Sequence, residues 1–212
     1  MILKVYTKLL NHFGPQGWWP TSKLVEPPEW EVCVGAILTQ NTNWKNVEKA
    51  LTNLKIADVI DPDSIMKMNT DKLAELIKPS GFYNQKAERL KRFTEFVMEK
   101  ESVQNFLKTV TREELLAFNG IGPETADSIL LYACGRKQFV VDAYTKRIFN
   151  RMGVIDTENY EQIRNMFEEK LPNNIRVYRE YHALLVKLGK TNCKKEPVCS
   201  TCPLTKICKK KI

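Results

Sequence analysis

Two features of the chain could do chemistry together: the run Leu116-Ala117-Phe118-Asn119-Gly120-Ile121-Gly122-Pro123-Glu124-Thr125-Ala126, and Asp142 at the start of the next amphipathic segment. A Gly-x-Gly turn between two helices exposes backbone N–H groups with no side chain in front of them, so a phosphate oxygen can approach closely. Pro123 suits the first helical position after the turn, where its missing donor costs nothing. Such a turn grips a nucleic-acid backbone without reading its sequence, which makes Gly120, Gly122 and Thr125 candidate DNA contacts. A carboxylate beside it, Asp142, could then stabilise charge on the sugar of that strand or orient a water there. Each piece also has a plain structural use. The glycines suit close packing of two helices, and Asp142 suits a helix N-cap. Their combination points to an enzyme acting on DNA.

A second signal lies near the end of the chain. Cys193, Cys199, Cys202 and Cys208 follow a five-two-five spacing within 16 residues. In a reduced compartment four such thiols read as metal ligands rather than disulfides. Zinc and a 4Fe-4S cluster both accept four cysteines, and a single compact loop without a Cys-x2-Cys pair at each end favours the cluster. Lys194 and Lys195 lie between the first two ligands, and Lys206, Lys209, Lys210 and Lys211 crowd the end, so the loop could neutralise phosphates. Cys33 and Cys134 sit in apolar helical stretches and read as small buried hydrophobes.

The rest of the chain must position these groups. Its 212 residues can bury one large core or two modest ones, and 43% hydrophobic with 27% charged residues is ordinary for a globular protein. A net charge of +8 favours a polyanionic partner. The longest apolar runs, such as Ile129 to Cys134, are too short to span a bilayer, and the N-terminus lacks a signal-peptide cleavage site, so a cytoplasmic location is expected. Apolar residues recur at helical spacing in Val47, Ala50, Leu51 and Leu54, in Ala87, Leu90, Phe93 and Val97, and in Ala126, Ile129, Leu130 and Ala133. No stretch alternates like a strand. The pattern predicts an all-α protein of about ten helices, with starts at Thr42, Asp71, Thr111 followed by Glu113 and Glu114, and Asn174. Breaks are expected at Pro62, Pro79-Ser80-Gly81, Gly120-Ile121-Gly122 and Gly153.

The hairpin, Val140-Val141-Asp142, the Arg147-Ile-Phe-Asn-Arg151 run and the four-cysteine tail together resemble the helix-hairpin-helix DNA glycosylases of the endonuclease III type, along essentially the whole chain. Leu38-Thr39-Gln40-Asn41-Thr42 and Gly81-Phe82-Tyr83-Asn84-Gln85-Lys86-Ala87 fall where that family has similar segments. The resemblance implies a six-helix barrel domain over 23–136 that contains the hairpin. It also implies a second domain, 1–22 with 137–212, carrying the catalytic aspartate and the iron-sulfur loop, with the active site in the cleft between the domains. It further implies double-stranded DNA bearing a damaged base as partner, a monomer, Asp142 as the family's aspartate, and Gln40 as the glutamine that fills the gap left by an extruded base.

Two departures from the family pattern carry information. Bifunctional members have a lysine in the hairpin that attacks the sugar, and here the matching residue is Glu124, which cannot form a Schiff base. A monofunctional glycosylase with water as nucleophile is therefore expected. The first cysteine spacing is one residue shorter than the family's usual six. Trp18 and Trp19 of Gly17-Trp18-Trp19-Pro20, with Trp44, occur where the alkylpurine branch typified by bacterial 3-methyladenine DNA glycosylase III has aromatic pocket residues. An N-alkylated purine is cationic, and its attraction to an indole face is worth roughly 0.5 to 2 kcal/mol. Without the resemblance the three tryptophans would read as core or interdomain packing. The four cysteines depart from that branch. Lys146, one helical turn after Asp142, could pair with it, face solvent, or serve as a displaced lyase nucleophile, and His182 in an apolar helix reads as a core histidine. The competing readings are a bifunctional glycosylase-lyase for oxidised pyrimidines, a mismatch glycosylase, and a non-catalytic DNA-binding module.

Overall fold

The computed structural model describes residues 1–19, 21, 25 and 27–211, all helix and loop, with no strand among them. Pro20 of the Trp-Trp-Pro run and the 22/23 boundary lie outside the described residues. The chain divides into two compact units, Met1–Pro20 with Gly135–Ile212, and Thr21–Cys134.

The unit Thr21–Cys134 holds α2 (Pro28–Leu38), α3 (Trp44–Ile56), α4 (Pro62–Lys67), α5 (Thr70–Leu76), a 3-10 turn (Lys78–Ser80), α6 (Tyr83–Met98), α7 (Val103–Thr109), α8 (Arg112–Ala117) and α9 (Pro123–Ser128), which runs on into a π-helical turn, Ile129–Ala133. Helix α2 is apolar on nearly all sides and is buried from Trp30 to Leu38, as a helix at the centre of a bundle must be. Its Trp30 donates its indole N–H to Ile60 O at 2.7 Å and stacks on Phe93 of α6, with Phe106 and Phe118 edge-on to Phe93. The periodic apolar residues of the sequence form this core: Val47, Leu54, Ala87, Leu90, Val97, Ala126 and Ile129 are fully buried.

Caps set the helix boundaries. Thr111 and Glu114 close a reciprocal capping box at α8, and Asn174 caps α12 (Ile175–Thr191). Two expected starts move. Asn43, not Thr42, caps α3 by accepting from Asn46 N, and Asn69, not Asp71, caps α5. In both places neighbouring side chains are competent caps, and the one whose backbone is extended while its carboxamide oxygen reaches the first turn takes the role. Pro62 opens α4 at its first position rather than breaking a helix.

Lys86 of α6 is buried in this unit. Its Nζ donates to Leu38 O at 2.8 Å and to Ser80 O at 2.7 Å, joining the end of α2 to the 3-10 turn. Burial, with Arg89 nearby, pushes its ammonium down to about 8.

The other unit packs α1 (Ile2–Phe13), α10 (Ala143–Arg151), α11 (Tyr160–Lys170) and α12 around Phe139, Phe149, Phe167 and Tyr181. Phe139 and Phe167 stack with ring centroids 4.4 Å apart. Tyr181 sends its hydroxyl to Ile2 O at 2.8 Å, which fixes the start of α1 against α12.

Candidate active site

Asp142 ends an extended strap whose Phe139, Val140 and Val141 are buried and whose Phe139 N–H donates to Glu168 at 2.8 Å. The strap runs straight into α10, so Asp142 does cap that helix. Its Oδ1 accepts from Thr145 N at 2.7 Å and from Thr145 Oγ1 at 2.8 Å. With Oδ1 committed, Oδ2 is the oxygen left for chemistry. It faces His182 Nε2 of α12 at 3.5 Å, an electrostatic contact longer than a hydrogen bond. The side chain of Asp142 keeps 10% exposure, enough for a reacting group to reach it. Burial by itself would raise this carboxyl; contact with His182 and then the Thr145 bonds outweigh it and hold the group below the usual carboxylate range. The group is thus an ionised acceptor, the state needed beside a sugar developing positive charge.

The sequence reading treated His182 as core packing, and it is buried. It is also the partner of Asp142 and the neighbour of Trp18, whose ring centroid lies 5.5 Å away, with Trp19 5.6 Å beyond Trp18. Trp18 therefore stands at the carboxylate's partner, with Trp19 against Trp18. Trp44 belongs to the other unit, where its indole donates to Glu48 at 2.8 Å. The expected Lys146–Asp142 pair is not made. Lys146 Nζ donates instead to Glu158 O at 2.8 Å and lies 3.7 Å from the Glu158 carboxylate.

In the other unit, the hairpin is braced by Arg112 of α8, whose guanidinium forks onto both oxygens of the fully buried Asp127 at 2.6 and 3.2 Å. The two glycines differ. Gly120 has φ +99°, where a side chain is strained, and a Cβ there would meet Arg89 Nε at 2.2 Å. Gly122 is extended at φ −90°, a conformation any residue adopts; what it offers is space, with no atom within 4 Å of a Cβ. Gly122→Ala should leave the melting temperature unchanged while weakening duplex binding about tenfold, the worth of one bond to a charged group. Gly120→Ala should in addition cost about 1 to 3 kcal/mol of stability. Thermal melts beside equilibrium binding would separate the two.

Glu124 occupies the first turn of α9, and Thr125 accepts from Gln40. Phe82 belongs to the Gly81–Ala87 segment that resembles the family. It is 63% exposed and has φ +48° at the entry to α6.

The four cysteines line one cavity with Arg151 and Asn192. Arg151 of α10 reaches across it, donating to Lys194 O at 2.5 Å and Lys195 O at 2.9 Å, with Cys193 Sγ 3.6 Å away. One turn earlier Arg147 donates to Cys193 O at 2.9 Å and Gly189 O at 3.2 Å. Both ends of the Arg147–Arg151 run thus serve the cysteine loop. Lys194 and Lys195 are exposed, as a phosphate contact requires. Burial, with the other three thiols adding, raises the Cys202 thiol, so the four sulfurs share one neighbourhood. Among the described residues no three such ligands converge on a single ion.

The family model for HhH-GPD superfamily base excision DNA repair proteins matches residues 34–173. The chain belongs to that family. It is 49% identical to a candidate DNA repair glycosylase of Methanocaldococcus jannaschii over 98% of this chain and 96% of the relative. It is 31% identical to endonuclease III of Thermotoga maritima over 86% and 84%. Among solved structures, the 3-methyladenine DNA glycosylase of H. pylori bound to 1,N6-ethenoadenine matches with TM-score 0.76 and 32% identity, covering 89% of this chain and 97% of that one. A non-covalent endonuclease III–DNA complex matches with TM-score 0.83 at 19% identity over 99% and 94%, which speaks to the fold. The HhH-GPD chain described here is thus an all-α DNA N-glycosylase of base excision repair.

Proposed function

We propose that this HhH-GPD enzyme excises N-alkylated purines such as 3-methyladenine from double-stranded DNA, by hydrolysis alone and without cutting the strand. The observation that carries the reading is the Asp142 carboxylate, held ionised with Oδ2 toward His182, itself beside the Trp18 ring, in a chain whose hairpin bears Glu124 where an amine would be needed for lyase chemistry. Similarity to the glycosylase whose structure holds 1,N6-ethenoadenine supports a purine as the base.

The hairpin, with Gly120, Gly122 and Thr125, holds the backbone while the damaged nucleotide swings out of the stack. Gln40 fills the vacated space and the exposed Phe82 wedges against it, as apolar side chains do when they part base steps. The cationic purine settles on the indoles of Trp18 and Trp19. Its glycosidic bond breaks with the electron pair leaving on the base. Alkylation makes that base a neutral leaving group, so no general acid is required. Asp142 Oδ2 stabilises the positive charge on the deoxyribose and orients the water that adds to it. The products are the free base and an abasic site.

Cys193, Cys199, Cys202 and Cys208 would hold a 4Fe-4S cluster. They line a cavity with N–H donors from Arg151 and Lys210 directed at sulfur, a setting suited to a cluster. Bound there, the cluster supplies a structural tie that presents Lys194 and Lys195 to phosphate. The enzyme acts as a monomer, in the cytoplasm and on the nucleoid.

Base release from methylated, etheno-modified, oxidised and mismatched duplexes tests the substrate class, and borohydride treatment on abasic DNA tests the mode. Alkylated purines are expected to be released and no covalent adduct to form. A trapped adduct would overturn the monofunctional reading, and release confined to oxidised pyrimidines or mismatches would overturn the substrate.

A further inference from the structure

Three segments meet at the hairpin turn through a single side chain. Gln40 Nε2 donates to Gly120 O at 2.9 Å and to Thr125 Oγ1 at 3.1 Å, while Arg89 Nη1 donates to Gln40 Oε1. Both ends of the carboxamide are therefore assigned. Turned over, it would set its NH2 against a guanidinium and its oxygen against a carbonyl, donor to donor and acceptor to acceptor. Arg89 also packs over Gly120, leaving no room for a Cβ. It comes from α6, one turn after Lys86, which grips the carbonyl of Leu38 just before Gln40. Helix α6 thus holds the Gln40 segment at two points, one through backbone and one through side chain.

We propose that Arg89 is a positioning residue for damaged-DNA recognition: it clamps the Gln40 carboxamide onto the hairpin, so that the group entering the duplex and the turn holding the backbone act as one rigid unit. The proposal rests on the reading above that Gln40 enters the duplex. A glutamine free to rotate would have to be ordered at each encounter, and the clamp removes that entropic cost before DNA arrives. It also ties the depth at which Gln40 enters the stack to the position of the gripped phosphate.

The test is a double-mutant cycle on binding to a duplex carrying one tetrahydrofuran abasic analogue, which needs no knowledge of the lesion. R89A and Q40A should each weaken binding about tenfold, the loss of one pre-ordered side chain with its bonds. The double variant should be no weaker than either, because both remove the same device. R89K keeps a donor within reach of Oε1 and should recover part of the affinity. Affinity for undamaged duplex and its salt slope should stay at the wild-type value in R89A.

Additive losses, or a salt slope shallower by about one in R89A, would show Arg89 to be an independent phosphate contact and overturn the proposal. A Q40A loss with R89A unchanged overturns the clamp alone. A Q40A variant that binds like wild type overturns the role of Gln40 and the clamp with it. Melting temperatures of all variants, with R89K as the conservative arm, separate these outcomes from misfolding.

Discussion

Asp142→Asn keeps the fold and lowers single-turnover base release by about a thousandfold, within the range for losing one group that acts only as charge develops. Asparagine caps helices as well as aspartate does, so the bonds from Thr145 N and Oγ1 to position 142 survive and α10 still starts at Ala143. What is lost is the negative charge on Oδ2, in a buried place where little water screens it. The same carboxylate sets a pH signature. Burial works to raise its pKa, and His182 with Thr145 brings it below the ordinary value, so activity should be present above that low pKa and lost as pH falls through it. The acid limb of the rate profile should therefore lie below the ordinary aspartate range. In His182→Gln the contact that does most to lower the pKa is gone, and the limb should move upward while affinity for duplex holds. An Asp142→Asn enzyme that released base at the wild-type rate would remove the mechanism altogether.

On the proposed cluster reading, Cys202→Ser should strip the site, lowering iron from about four atoms per chain toward none and abolishing the visible absorption of the purified protein. Because the loop is held to α10 by Arg147 and Arg151 bonds to its backbone, loss of the ligand should loosen residues 193–208 without unfolding the aromatic core around Phe139 and Tyr181. A lowered melting temperature with helix content kept would show this. Duplex affinity should fall together with the iron, since Lys194 and Lys195 are presented by the same loop, and the salt slope should become shallower by about one for each lysine disengaged. Stoichiometric zinc in a colourless wild-type protein would overturn the cluster reading.

Local pattern explains what could be read without coordinates. The 3.6-residue recurrence of Val47, Ala50 and Leu54 or Ala87, Leu90 and Val97 names both the helix and its buried face, because one stripe must leave water whatever it packs against. The Gly120–Thr125 turn, Asp142 ahead of a helix, and four cysteines within 16 residues are also contiguous signals. Their chemistry depends on groups a few bonds apart. Cap positions marked the limit of this reading. Thr42 against Asn43, and Asp71 against Asn69, are choices between adjacent competent residues that only the path of the backbone decides.

By itself, then, the sequence determined an all-helical chain, its hairpin, its carboxylate and its cysteine loop, each written in neighbouring residues whose spacing is fixed by covalent geometry. Tertiary structure alone decided that His182 meets Asp142 across 40 positions, that Arg89 and Gln40 close on Gly120, that Arg147 and Arg151 serve the cysteine loop, and that Lys146 turns to Glu158 instead of Asp142. A histidine on an apolar helix face and an arginine in an amphipathic one carry no local mark of their partners. Those pairings arise from which helices pack and at what rotation, and that is set by the buried surface of a whole unit rather than by the few residues around each site.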